Sequence, residues 1–316
     1  MNEFELIRRY FTRPARQAVL GVGDDAAILR PTPGHDLHVS VDMLVEGRHF
    51  FADVDSVALG HKTLAVNLSD MAAMGATPRW VLLSMALPQL DERWLAGFAE
   101  GFYRLAECYD VDLVGGDTTR GPLTLSVTVM GEAPQGQALR RAAAQLGDDI
   151  WVSGELGLGA MAVASRLQGL AEQPWFAACR QRLDYPTPRL ELGQALRGVA
   201  HAAADVSDGL LADLGHILEC SGVGAEVWAE CLPSLPAIEQ QRATLLPYLA
   251  AGGDDYELVF TAPVSQRASM AAIAAAVDCR LTRIGRIVVG DKAHLLAADG
   301  REISLQRSGF DHFDQA

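Results

Sequence analysis

Aspartate beside glycine recurs along this chain, in Gly23-Asp24-Asp25, Gly115-Gly116-Asp117, Gly147-Asp148-Asp149, Asp208-Gly209 and Gly252-Gly253-Asp254-Asp255. Turns favour both residue types, so a single instance reads first as a surface turn. Gly147-Asp148-Asp149 is read that way, as a turn entering a strand. The other clusters stand at the ends of apolar strands or on apolar helices, where unpaired carboxylates are costly to desolvate. No comparable number of Lys or Arg residues is close in sequence, so a metal cation is the expected counter-charge. Carboxylates and hydroxyls are hard oxygen donors that suit Mg²⁺, an ion that usually bridges to substrate phosphates. The candidates are Asp25, Ser40, Asp42, Asp70, Asp117, Asp205 and Asp208.

Asp205 and Asp208 flank a helix start with Ser207 between them. One reading makes Ser207 or Asp208 only the N-cap. The other lets the helix terminus and Ser207 face a phosphate while the carboxylates hold metal. The two are compatible. No GxxxxGK[ST] sequence or protein-kinase signature is present, so a triphosphate here must be held without a lysine-bearing phosphate loop. Gly154-Glu155-Leu156-Gly157-Leu158-Gly159 has a GxxGxG spacing, not GxGxxG, and is read as a structural turn.

The elements that must position these groups follow from hydrophobic period. Phe4, Ile7, Tyr10 and Phe11 predict an amphipathic helix over Asn2 to Phe11. Strict alternation from Leu37 to Asp42 predicts a strand that delivers Ser40 and Asp42 to one side. From Asp55 to Gly75 the period is helical, and Thr63, Asn67 and Asp70 share one stripe of an otherwise apolar helix. A polar stripe of that kind needs partners. Strands follow at Trp80 to Leu87, Val111 to Val114 and Leu123 to Met130, with a helix capped by Asp91 between the first two.

Ala133 to Gly147 turns polar and small, which sets a domain boundary and divides the chain into 1-137 and 138-316. The second part opens with a strand at Asp149 to Ser153 and a helix from about Gly159. A further helix follows Asp208-Gly209, and a strand runs from Tyr256 to Thr261. Strands and helices interleave, so the class is mixed α and β, α+β overall.

Composition narrows the functions. At 316 residues the chain is long enough for two cores, and 49% apolar residues are enough to fold nearly all of it. No run approaches the roughly 18 apolar residues of a membrane span, and the N-terminus lacks the basic start of a signal peptide. The five cysteines show no CxxC spacing, which argues for reduced thiols in cytoplasm. A net charge of -14 argues against nonspecific nucleic-acid binding.

Taken in order, the motifs Gly21-Val22-Gly23-Asp24-Asp25-Ala26-Ala27, Val41-Asp42-Met43-Leu44-Val45-Glu46-Gly47, Asn67-Leu68-Ser69-Asp70-Met71-Ala72-Ala73-Met74-Gly75-Ala76, Gly115 through Pro122, Asp205-Val206-Ser207-Asp208-Gly209-Leu210 and Gly252-Gly253-Asp254-Asp255-Tyr256-Glu257-Leu258 resemble the thiamine-monophosphate kinase family. That family shares an ATP-binding superfamily with aminoimidazole ribonucleotide synthetase and selenophosphate synthetase. The resemblance spans Gly21 to Phe313.

The resemblance implies a two-domain ATP-binding fold. Its N-terminal sheet pairs in a homodimer, and its C-terminal α/β domain closes over nucleotide and substrate. It implies that Asp25, Asp42, Asp70, Asp117, Asp205 and Asp208 are Mg²⁺ ligands, with Ser40 and Val41 contributing beside Asp42. It implies that Gly116, Asp117, Arg141 and Ser207 contact ATP, and that His49, Asp254 and Phe310 hold thiamine monophosphate. Three positions depart from the family pattern. Val41 replaces a frequent Thr, so a metal contact there falls to the backbone carbonyl. Asp254 stands where Glu is also found, and Phe310 where Tyr or Trp is common, keeping an aromatic face without the polar handle.

The implied chemistry is direct in-line transfer of the γ-phosphoryl group, assisted by several Mg²⁺ ions around Asp42 and Asp70, without a covalent enzyme intermediate. Two alternatives stand beside it. One is another ATP-dependent enzyme of the superfamily, although the reactive cysteine near the N-terminus that selenophosphate synthetase needs is missing, since the first is Cys108. The other is a non-catalytic metal- or nucleotide-binding protein.

Overall fold

A computed structural model describes residues 2–168, 173–311 and 313. The chain forms two compact units. One comprises Met1–Met71 with Ala76–Gly136, and the other Ala72–Gly75 with Gln137–Ala316.

The first unit begins with α1 (Glu3–Leu6), capped by Asn2 and continued by a π-helical turn over Ile7–Phe11. Its sheet contains β1 (His35–Val45), β2 (Thr77–Leu87), β3 (Asp112–Arg120) and β4 (Thr124–Pro134), in the order β1-β4-β2-β3. β4 is antiparallel to both β1 and β2, while β2 and β3 run parallel. β3 does not stop at the glycine pair as the sequence pattern predicts. It continues through Gly116 and Asp117 to Arg120, because the whole segment pairs with β2 from Leu82 to Leu87.

One face of this sheet packs against α2 (Ser56–Ala73), whose first turn is capped by Asp55 Oδ1 accepting from the backbone N–H groups of Val57 and Ala58. α3 (Glu92–Cys108), capped by Asp91, lies against α2. The helices approach until a Cβ on Gly101 would stand 1.8 Å from the carbonyl oxygen of Val57. Trp94, Phe98 and Phe102 stack along α3, and Leu125, Val127 and Val129 of β4 are fully buried. The opposite face is different. Leu37, Val39, Val41 and Met43 alternate along β1 as an exposed apolar row, Val39 at 60% and Val41 at 59% accessibility.

The second unit is built on a six-stranded sheet of order β10-β7-β9-β5-β8-β6. The strands are β5 (Asp149–Ser153), β6 (Ala202–Val206), β7 (Gly224–Trp228), β8 (Glu257–Ala262), β9 (Leu281–Val288) and β10 (Ala293–Leu296). β10 and β7 are parallel and the remaining pairs antiparallel. Its helices are α4 (Leu158–Leu167), α5 (Phe176–Asp184), α6 (Leu190–Ala195), α7 (Leu210–Ser221), α8 (Arg242–Ala251) and α9 (Arg267–Ala276). β6 and β8 are buried along their whole length, as strands covered on both faces must be. Among the described residues, no helix is long and apolar enough to cross a membrane.

Candidate active site

In the first unit the polar stripe of α2 finds its partners on β1. Thr63 Oγ1 donates back to the Leu59 carbonyl at 2.7 Å, and Asn67 Nδ2 donates to the Thr63 carbonyl at 3.0 Å. Asn67 Oδ1 is thereby aimed at the strand, where it accepts the backbone N–H of Asp42 at 3.0 Å. One helical turn on, Asp70 Oδ2 accepts from Ser40 Oγ at 2.6 Å. Ser40, Asp42 and Asp70 are half-buried on two rigid elements, and the stripe is the device that docks one on the other.

Strand register separates Asp117 from this group. Met43, Ser126, Ser84 and Asp117 form one row across the sheet, and Asp42, Val127, Leu83 and Gly116 form the next. Adjacent rows point to opposite faces, so Asp117 stands on the open face with Met43 and Val41 while Asp42 points toward α2. The two aspartates also lie on the two edge strands, three strand spacings or about 14 Å apart. One chain therefore cannot offer Asp42 and Asp117 to the same ion. Gly116 beside it has φ 152°, and a Cβ there would meet the Leu83 carbonyl at 1.8 Å, so only glycine lets β3 keep its pairing.

Asp25 lies on an exposed turn bracketed by the Leu20–Ile28 bridge, its backbone N–H donating to Asp24 Oδ1. Among the described residues no three His, Cys, Asp or Glu side chains are gathered closely enough to hold a metal ion by themselves. His49 follows β1 in a tight turn, where its Nδ1 accepts the backbone N–H of Val45 at 3.0 Å. That bond fixes the neutral tautomer with its proton on Nε2.

In the second unit the chain ties four of the expected residues together. Asp254 donates its backbone N–H to the Ser207 carbonyl, and Phe310 donates its own to the Asp208 carbonyl, both at 2.9 Å. Asp205 is buried at the end of β6, and Ser207 and Asp208 are half-exposed beyond it. Phe310 is half-exposed rather than part of the core. Arg141 is exposed, next to Arg140, which bridges Ala202 at the start of β6.

The start of α7 departs from expectation. Its N-cap is Gly209, not Ser207 or Asp208, and the backbone N–H groups of Ser207, Asp208 and Gly209 all donate to Asp213 Oδ2 at 3.0–3.1 Å. A buried carboxylate of the chain itself occupies the anion position that the helix terminus seemed to offer a phosphate. Burial is the largest influence on Asp213. The N–H of Gly209 opposes it and the charge of Asp208 adds to it, so the pKa is raised to about 6. The sequence signal for Asp213 was an acidic residue in the first turn of a helix.

Three other aspartates turn out to hold structure. Asp255 accepts from the N–H groups of Gly157 and Gly159, at 2.6 and 3.4 Å, so the glycine-rich turn cradles an internal carboxylate. Gly147 does lie in a turn that enters β5, but Asp148 and Asp149 are not on the surface, being 3% and 2% exposed. Asp148 meets His201, and Asp149 is bridged by Arg267 and Arg283.

Comparison with known proteins places this architecture. The AIR synthase related protein family matches by its N-terminal domain over residues 23–133 and by its C-terminal domain over residues 145–297. Thiamine-monophosphate kinase of Salmonella typhimurium strain LT2 is 41% identical over 320 residues, covering 99% of this chain and 98% of its own. The chain belongs to the thiamine-monophosphate kinase family. The crystal structure of thiamine-monophosphate kinase from Stenotrophomonas maltophilia K279a matches with a TM-score of 0.86 at 48% identity, covering 95% of this chain and 96% of that one. The structure of AaThiL complexed with AMPPCP and TMP matches with a TM-score of 0.79 at 31% identity over 92% of each chain. The N-terminal domain match falls largely in the first unit and the C-terminal match in the second.

Proposed function

We propose that this chain phosphorylates thiamine monophosphate with ATP, giving thiamine diphosphate and ADP. The observation that carries the reading is the 41% identity to a thiamine-monophosphate kinase across 99% of the chain. A relative of the same fold complexed with AMPPCP, an ATP analogue, and TMP supports it.

Mg²⁺ fits the donor set of the first unit. Ser40, Asp42 and Asp70 supply only hard oxygen atoms, and Mg²⁺ takes one or two carboxylates while keeping waters and phosphate oxygens, so a cage of three acids is not needed. Asp25, Asp117, Asp205, Asp208 and the Val41 carbonyl are the further ligands in this reading, with Asp117 serving a different ion from Asp42 of the same chain. When bound, the ions supply charge neutralisation between two phosphorylated substrates.

The protein's own contribution is positioning. Gly116 and Asp117, together with Arg141 and Ser207, hold the nucleotide. His49, through the proton fixed on Nε2, binds the acceptor with Asp254 and the face of Phe310. A phosphate monoester is largely ionised at neutral pH, its second pKa being about 6, so no side chain needs to act as general base. Transfer is then in-line, from the γ-phosphorus to an oxygen already carrying charge. The same reading places the enzyme in the cytoplasm as a homodimer, with the exposed apolar row of β1 covered by a second copy.

The deciding experiment incubates purified protein with ATP and thiamine monophosphate, with and without Mg²⁺, using free thiamine as control acceptor. Thiamine diphosphate formed only with metal and monophosphate is expected. ATP binding without product would instead indicate a non-catalytic binding protein.

A further inference from the structure

Asp254 and Tyr256 both adopt left-handed backbone conformations, with φ of 65° and 52°. Such a conformation is uncommon for aspartate and an outlier for a bulky aromatic, and it persists only where the surroundings over-determine it. Here they do. Asp254 donates its N–H to the Ser207 carbonyl at 2.9 Å and Tyr256 donates to the Val206 carbonyl at 2.8 Å, while Asp255 between them is clamped by Gly157 and Gly159. The consequence of the double turn is specific. It folds the Tyr256 side chain back so that its hydroxyl donates to Asp254 Oδ1 at 3.1 Å, two residues away.

We infer that Tyr256 is a positioning residue that fixes the rotamer of the Asp254 carboxylate toward the acceptor substrate. The inference rests on the reading of Asp254 as an acceptor contact. A two-residue span in extended backbone points its first and third side chains along the same face without bringing a long phenol onto a short carboxylate. The strained turn is what allows it. The same backbone path seats Asp255 in its glycine cradle and sets the Tyr256 hydroxyl on Asp254. A carboxylate held by a phenol and a rigid backbone loses little freedom when the acceptor binds, so the benefit falls on acceptor affinity and not on ATP.

The test compares wild type with Tyr256→Phe, Asp254→Asn and the double variant in steady-state kinetics for both substrates. Phenylalanine keeps the ring and the backbone demand and deletes only the hydroxyl. Loss of one charge-assisted hydrogen bond should raise the acceptor KM of Tyr256→Phe on the order of tenfold, with kcat and the ATP KM within about twofold of wild type. The double variant should be no worse than Asp254→Asn alone, because both changes break one interaction. Asp254→Asn raising the acceptor KM while Tyr256→Phe leaves it unchanged overturns the positioning role and spares the reading of Asp254. An unchanged acceptor KM in Asp254→Asn overturns that reading itself. Equal losses toward ATP and acceptor, or additive losses in the double variant, make the hydroxyl a general support of the loop and also overturn the proposal.

Discussion

Ser40 on β1 and Asp70 on α2 are joined by a 2.6 Å hydrogen bond from hydroxyl to carboxylate, so the strand fixes where the helix presents its charge. Asp42 is held beside them through the Asn67 side chain. Asp42→Asn and Asp70→Asn should each lower kcat roughly a hundredfold or more, the scale of removing one charge-stabilising group from a preorganised site. Ser40→Ala, which loosens Asp70 and removes one uncharged oxygen donor, should have a smaller effect. Unfolding midpoints should stay near wild type in all three, and full turnover in Asp70→Asn would count against any role for this group.

Asp213 makes the start of α7 sensitive to pH. Its pKa is raised from 3.8 to about 6, so between these values the folded chain binds the proton more tightly than the unfolded one. Its contribution to stability is therefore largest at low pH and declines as pH rises through that window. The full shift corresponds to about 3 kcal/mol at neutral pH. Asparagine at 213 does not titrate, and its Oδ1 can still accept from the backbone. The stability of Asp213→Asn relative to wild type should thus improve by roughly 2–3 kcal/mol between pH 4 and pH 7. Urea unfolding at the two pH values in metal-free buffer measures it; a difference that does not change with pH removes the linkage.

Asp149 behaves in the opposite sense. Burial alone would raise its pKa, but hydrogen bonds and charge from Arg267 and Arg283 outweigh that and hold it below the usual aspartate range. Stability from this pair is present above pH 3.8 and is lost as pH falls through the lower folded value. Both guanidinium groups are substantially exposed, which discounts the interaction. Asp149→Asn should still cost about 2 kcal/mol at pH 7, because it leaves a buried polar group with the wrong charge for its partners. Its penalty should shrink as pH falls below 3.8, which acid unfolding of the variant and wild type would reveal.

The legible parts of the molecule were those set by local period. The Thr63-Asn67-Asp70 stripe announced that a polar partner would face α2, and alternation in β1 placed Ser40 and Asp42 on one side, where that partner is found. What was hidden is set by pairing between distant segments. Asp117 shares a glycine-aspartate pattern with the other clusters, yet its face follows from the register of β3 on β2, which no local pattern encodes. Likewise Asp148 and Asp149 look like turn residues until His201, Arg267 and Arg283 arrive from later in the chain. Asp213 was missed because a first-turn acid reads as a dipole effect, whereas here it binds the three backbone N–H groups.

The apolar row of β1 carries the last prediction. Leu37, Val39, Val41 and Met43 alternate with residues that face α2, so the strand has two committed sides, and among the described residues only one is covered. A β1 edge left this apolar is an aggregation hazard unless a second surface meets it. Leu37→Glu combined with Val39→Glu places two charges in the proposed contact without touching Ser40, Asp42 or the backbone of Val41. Each buried aliphatic side chain is worth about 1.5–3 kcal/mol and a charge in its place is costlier still, so the dimer dissociation constant should rise by on the order of a thousandfold. Analytical ultracentrifugation at micromolar concentration should show dimer for wild type and monomer for the double variant, with unchanged far-ultraviolet circular dichroism. A monomeric wild type, or a variant that stays dimeric, would move the contact away from this face.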